Sequence, residues 1–118
     1  PHQLSGGMRQ RAALMRTILI GSEVLLLDEP FASLDALTRE NMQEWLLDIW
    51  SKFRPSILFI THSIDEAIFL SDKTYVLSKR PGTVILEQKI KLNRPRQRNI
   101  VTSDDFIHYK KVLLEALK

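Results

Sequence analysis

A chain of 118 residues that is 44% hydrophobic and carries a formal charge of +3 holds enough apolar material for one modest core. So mild a basic excess gives little support to a nucleic-acid or acidic-lipid partner, which shows itself as a clustered patch. Cysteine is absent, which excludes disulfides and thiolate metal sites and fits a reducing cytoplasm. No apolar stretch approaches the roughly 20 residues that cross a bilayer. The chain opens at Pro1 without an initiator Met, so a missing targeting segment says nothing about the parent protein.

From Ser5 through Ile20 the apolar positions Met8, Ala12, Met15 and Leu19 recur at helical spacing, and Gly21 stops the helix. Val24 to Leu27 is continuously apolar, the pattern of a parallel strand buried on both faces. Asp35 is placed to N-cap a long helix whose Met42, Trp45, Leu46, Ile49, Trp50 and Phe53 form one apolar stripe, with both tryptophans in the core. Pro55 breaks that helix, and Ile57 to Ile60 forms a second buried strand ending at Thr61 and His62. Ser63-Ile-Asp-Glu66 is a capping box that starts a helix through Leu70.

Beyond Asp72 the texture changes. Thr74 to Ser78 and Thr83 to Lys89 read as a hairpin that closes the sheet edge, turning across Arg80-Pro81-Gly82-Thr83 as a type II turn with Gly82 at positive φ. The basic cluster Lys89 to Arg98, with Arg94, Arg96 and Arg98 spaced around Pro95, reads as a solvated surface segment. Asn93 to Thr102 is a linker or extended strap. Ser103 with Asp104 and Asp105 opens a last helix in which Phe106, Tyr109, Leu113, Ala116 and Leu117 share a face.

Three places carry chemistry. Ser5, Gly6 and Gly7 open the first helix, where unpaired backbone N–H groups and the positive end of the helix dipole suit a phosphate oxygen; an ordinary N-cap with a flexible lead-in is the alternative. Asp28 and Glu29 end the first apolar strand, the edge at which open α/β sheets place ligands. Asp28 suits Mg²⁺, which takes few protein carboxylates, and Glu29 suits a general base if partial burial raises its pKa. Alternatively the two carboxylates merely cap the next turn, with Pro30 ending the strand. His62 stands at the end of the second strand, level with Asp28 if the strands run parallel, where an imidazole donates to a γ-phosphate. His2 and His108 have no such company. Metal, water-activating base and charge donor are the parts that phosphoanhydride hydrolysis requires. The phosphate-cradling loop G-x-x-x-x-G-K-[ST] does not occur in the chain.

The four motifs together resemble the ATPases of ABC transporters. Leu4 to Gln10 (LSGGMRQ) is similar to the ABC signature, Val24 to Pro30 (VLLLDEP) to the Walker B strand with its catalytic glutamate, Ala32 to Asp35 (ASLD) to the D-loop, and Ile60 to His62 (ITH) to the switch histidine. All occur in family order. FASLDALTR, THSIDEA and the late KRPGTVI and LNRPR look like the ATPase subunits of nitrate, sulfonate and taurine importers. Leu14 to Ile20 (LMRTILI) departs from the family's usual Ala-Arg-Ala sequence without touching a reacting group.

The resemblance implies an α/β fold: a partial P-loop NTPase core with a mostly parallel sheet flanked by helices, a C-terminal β-hairpin and a terminal helix. Residues 1–118 are then the C-terminal part of a single ABC ATPase domain, with 93–118 as a C-terminal extension. It implies ATP and Mg²⁺ as cofactors, Asp28 as the metal residue and Glu29 and His62 as the catalytic pair. Ser5, Gly6, Gly7 and Gln10 become nucleotide-binding residues, with Ser5 and Gly7 on the γ-phosphate of ATP held mainly by a second copy, and Asp35 carries information across the dimer. The implied partners are a second ATPase subunit, integral-membrane permease subunits and, indirectly, an extracytoplasmic substrate-binding protein, with no nucleic acid, at the cytoplasmic face of the membrane. Walker A and the glutamine loop are expected upstream of Pro1. The chain alone is therefore expected neither to hydrolyse ATP nor to stay soluble and monomeric, since its two strands would expose apolar faces. Two other readings stand beside this one. A soluble ABC ATPase of DNA repair or translation would show heptad arms or an Asn-His pair near the D-loop, and the chain has neither. An inactive fragment is opposed by the intact Glu29 and His62.

Overall fold

The computed structural model describes residues 6–21 and 23–118. In chain order it runs α1 (Gly6–Leu19), β1 (Val24–Asp28), α2 (Ala36–Phe53), β2 (Ser56–Ile60), α3 (Ile64–Leu70), β3 (Lys73–Leu77), β4 (Val84–Lys89), a 3-10 turn (Arg98–Thr102) and α4 (Asp104–Ala116). Its backbone divides into two units, residues 1–62 and 63–118.

In the first unit β1 and β2 pair in parallel with Leu25 opposite Ile57, Leu27 opposite Phe59 and Asp28 opposite Ile60. One face of this pair is covered. Leu25 joins Ile18 of α1 and Ile49 of α2 in a buried cluster that Met15, Trp45 and Ile57 flank; full burial of a leucine such as Leu25 is worth about 2 kcal/mol. The other face is open: Val24, Leu26, Leu58 and Ile60 are all exposed. The apolar run therefore does not mark a strand buried on both sides, because among the described residues the covering helices lie on one side only.

Each boundary of α2 has a local cause. Asp35 is in extended conformation and its carboxylate accepts from the Thr38 N–H, which satisfies one of the open donors of the first turn. At the other end Arg54 takes the left-handed conformation, φ 54°, and its N–H returns to the Trp50 carbonyl. The Trp50 indole then donates to Pro55 O at 3.1 Å under the Arg54 guanidinium, 4.3 Å from the ring. Met42, Leu46 and Ile49 of the expected stripe are buried, while Phe53 is exposed.

The buried face of α1 differs by one position from the expected one. Gly7, Leu14 and Ile18 are buried, whereas Met8 and Leu19 are exposed and Met15 is partly covered. Gly7 sets this phase: a Cβ there would lie 3.0 Å from the Thr38 methyl, so α1 and α2 approach as closely as only a glycine permits. Gly21 ends the helix at positive φ, as expected.

In the second unit Ser63 accepts from Glu66 N–H at 3.2 Å and starts α3, and Ser103 accepts from Phe106 N–H and starts α4. The hairpin β3–β4 is antiparallel with an irregularity between Val76 and Leu77. It forms its own two-stranded sheet rather than an edge of the parallel one. Gly82 takes positive φ as expected, and the peptide preceding Pro81 is cis. Ile68, Phe69, Val76, Ile90, Leu92, Phe106 and Leu113 are buried in this unit, while Leu117, expected on the α4 apolar face, is exposed.

The basic cluster is not a solvated segment. Arg96 is only 6% exposed, and its guanidinium donates to the carbonyls of Ile68, Phe69 and Ser71 at 2.6–3.2 Å and to those of Ile90 and Leu92 at 3.1–3.3 Å. Arg94 donates to Leu70 O at 2.8 Å and pairs with Asp72, and Arg98 stacks over the Phe69 ring at 4.2 Å. The last carbonyls of α3 have no helical partners, and cations there also face the negative end of the helix dipole. Burial, with Arg94 alongside, lowers the Arg96 guanidinium to about 10, so it stays charged at neutral pH.

Candidate functional site

The site lies at the carboxyl ends of β1 and β2. Asp28 closes β1 with an exposed side chain. One residue on, Glu29 leaves the strand in the left-handed region at φ 47° while its N–H still donates to Ile60 O at 2.8 Å. Such a backbone costs a non-glycine residue of the order of 1 kcal/mol and persists only where its surroundings hold it. The turn directs the Glu29 carboxylate to the end of β2, where Oε1 lies 3.1 Å from His62 Nε2. The glutamate side chain is 34% exposed and the imidazole 91% exposed, so the pair is open to a ligand arriving from solvent. The strands do run parallel, but Asp28 lies opposite Ile60, so His62 sits two residues past the level expected for it.

From Glu29 the chain turns twice before α2, with Ala32 N–H donating to Glu29 O and Leu34 N–H to Phe31 O. Phe31 is fully buried, tilted against the Phe59 ring at 5.8 Å. Two long side chains grip the rest of the loop. Gln10 of α1 donates to Pro30 O at 2.6 Å. Arg39 of α2 spans three carbonyls, with Nε on Phe31 O at 3.2 Å and one terminal nitrogen on Ala32 O and Leu34 O, both at 3.1 Å.

Gly6 and Gly7 start α1 beside this loop. A Cβ on Gly6 would come within 2.9 Å of the terminal methyl of Leu34, a flexible end that can move aside, whereas at Gly7 it would meet the stiff Thr38 side chain at 3.0 Å, so close packing calls for the glycine at position 7. Ser5 lies outside the described residues. Asp35 is occupied as the α2 cap, and its hydrogen bonds with Thr38 lower its carboxyl below the ordinary value of 3.8. No group of three or more metal-ligating side chains occurs among the described residues. Asp28 thus offers one carboxylate, which fits a hard cation held chiefly by phosphate oxygens and water. Arg39 escaped the sequence reading, although a signal existed: a cation near the start of a helix opposes the dipole and asks for carbonyl partners of its own.

The chain is similar to known proteins along its whole length. The family model described as ABC transporter matches residues 1–32. The chain is 51% identical, over its whole length, to an ABC transporter ATP-binding protein of Methanocaldococcus jannaschii, of which it covers 43%. It is 49% identical over 99% of its length to the nitrate import ATP-binding protein NrtD of Synechococcus elongatus, covering 42% of that protein. With the aliphatic sulfonates import ATP-binding protein SsuB of Bacillus cereus it shares 44% identity over its full length and 46% of the relative's. The fold is similar to that of the ATP-binding cassette MJ0796, solved as a dimer in a post-hydrolysis state with ADP and Pi. That match has a TM-score of 0.61 and 29% identity, and covers 79% of this chain and 39% of the other. The chain spans less than half the length of the curated relatives it matches. With a match to the ABC transporter family model and 44–51% identity to three ATP-binding proteins over 99–100% of its length, the chain belongs to the ABC transporter ATP-binding family.

Proposed function

We propose that this chain supplies the hydrolytic groups of an ATPase that energises an ABC importer of nitrate, a sulfonate, taurine or a related small anion. The contact of Glu29 with His62 at 3.1 Å is the observation that carries the reading. In this role Glu29 orients and deprotonates the attacking water, and His62 donates to the γ-phosphate as charge develops there. Asp28 is the residue to hold Mg²⁺, which when bound neutralises charge on the β and γ oxygens. Gly6 and Gly7, with Ser5, present the start of α1 to a nucleotide bound by a second copy. Gln10, whose amide nitrogen holds Pro30 O, belongs to the same nucleotide-facing surface. Asp35 sits on the loop between the two sets of groups, where movement in one copy reaches the other.

A dimer explains why one chain carries two sets of groups for a nucleotide: ATP bridges the copies and its hydrolysis removes the bridge. Permease subunits in the membrane convert that motion into transport, and an extracytoplasmic binding protein delivers the anion. No helix among the described residues is long and apolar enough to cross a membrane, which suits a subunit attached at the cytoplasmic face. The similarity to the nitrate and sulfonate import proteins supports the choice of cargo. Reconstitution of the ATPase with its permease in lipid vesicles tests both levels. Phosphate release stimulated by nitrate, an alkylsulfonate or taurine is expected; stimulation by none of the three rejects the importer reading, and no phosphate release at all rejects the ATPase.

A further inference from the structure

We infer that Arg39 is a positioning residue for hydrolysis, acting by fixing the loop whose two ends carry Glu29 and Asp35. The inference rests on the ATPase reading above. Four backbone carbonyls in that loop, those of Pro30, Phe31, Ala32 and Leu34, accept from side chains of the flanking helices, three of them from Arg39 alone. The guanidinium is suited to this because its donors are planar and fixed, so one group locks the relative orientation of three carbonyls. A lysine would meet one or two of them with a mobile ammonium.

The loop needs such a brace. Glu29 is in the left-handed region, a conformation that relaxes unless its neighbours determine it. Inside the unit Phe31 anchors the loop to Phe59, but its outer carbonyls have no strand to pair with. With Arg39 on one side and Gln10 on the other, α1, the loop and α2 move as one body. Displacement of the signature glycines against Leu34 and Thr38 is then passed to Asp35 and Glu29 instead of being absorbed by a slack loop. Arg39 touches no reacting atom, and its effect on rate arises from the placement of Glu29, where misplacement by about 1 Å costs up to about 10²-fold.

The test uses the intact ATPase with Arg39→Ala, Arg39→Gln and Arg39→Lys. Hydrogen exchange at the amides of Ala32 and Leu34 is expected to accelerate at least about tenfold in Arg39→Ala, and kcat for ATP to fall about tenfold or more. KM should stay within about twofold, since ATP binding is untouched. Arg39→Lys should recover part of both effects, and Arg39→Gln serves if the alanine variant does not fold. Faster exchange with unchanged kcat overturns the inference, as does a change confined to KM or a loss of kcat without faster exchange. Failure of the underlying reading looks different: the unsubstituted protein would then lack ATP turnover, or Glu29→Gln would retain it.

Discussion

His62 Nε2 approaches Glu29 Oε1 to 3.1 Å, and it does so because Glu29 adopts a backbone conformation that suits glycine better than glutamate, φ 47°. The open imidazole and the half-open carboxylate contribute little as an ion pair in water. The backbone strain is therefore the larger energetic quantity. Glu29→Gly is expected to raise unfolding stability by about 1 kcal/mol relative to Glu29→Ala, which keeps the strain, while both abolish hydrolysis. Chemical denaturation of the two variants checks this, and equal stability would show that the turn is relaxed.

Gly7 has two candidate roles, close packing and phosphate contact, which one pair of substitutions separates. A methyl on Gly7 meets the Thr38 methyl at 3.0 Å, so Gly7→Ala alone should destabilise the protein. In a Thr38→Ser background the obstructing methyl is gone, and the helix preference of alanine, about 1 kcal/mol over glycine, should make Gly7→Ala neutral or stabilising. If phosphate contact also requires the glycine, ATP turnover stays low in the double variant although its melting temperature recovers.

Arg96 holds five carbonyls from a buried position. Arg96→Met should destabilise the second unit by about 3 kcal/mol, because the carbonyls at the end of α3 lose charged donors that water cannot replace. Arg96→Lys should recover only part of that loss, since an ammonium cannot reach both the α3 end and the Ile90–Leu92 strap. Thermal unfolding of the two variants is the measurement. Equal melting temperatures for lysine and arginine would mean that charge alone matters and the fork does not.

Much of this fold was legible where local chemistry dictates it. Asp35, Ser63 and Ser103 cap helices because short oxygen-bearing side chains meet open N–H groups at those places, and both strands of the parallel pair announce themselves as apolar runs. His62 was legible as a residue of the same sheet edge because parallel pairing brings the ends of β1 and β2 together, although it lies two residues past the level of Asp28. What stayed hidden depended on tertiary contact. Burial of Gly7 leaves no apolar mark, so the face of α1 was read one position off, on Met8 and Leu19. Arg94, Arg96 and Arg98 look solvated by composition and turn inward only because α3 ends beside them with unpaired carbonyls. Gln10 and Arg39 hold backbone oxygens, partners that a sequence does not identify even where, as at Arg39, a cation near a helix start asks for them. The left-handed turn at Glu29 was invisible for the same reason.

The most direct test is single-turnover and steady-state ATP hydrolysis by the intact ATPase carrying Glu29→Gln, His62→Ala or both. Each single substitution is predicted to lower kcat by about 10²-fold or more, with ATP still bound. The double variant should be little worse than either, as for groups that act together on one water and one phosphate. Near-normal turnover in Glu29→Gln, or fully multiplicative losses in the double variant, would contradict a hydrolytic centre built on these two residues.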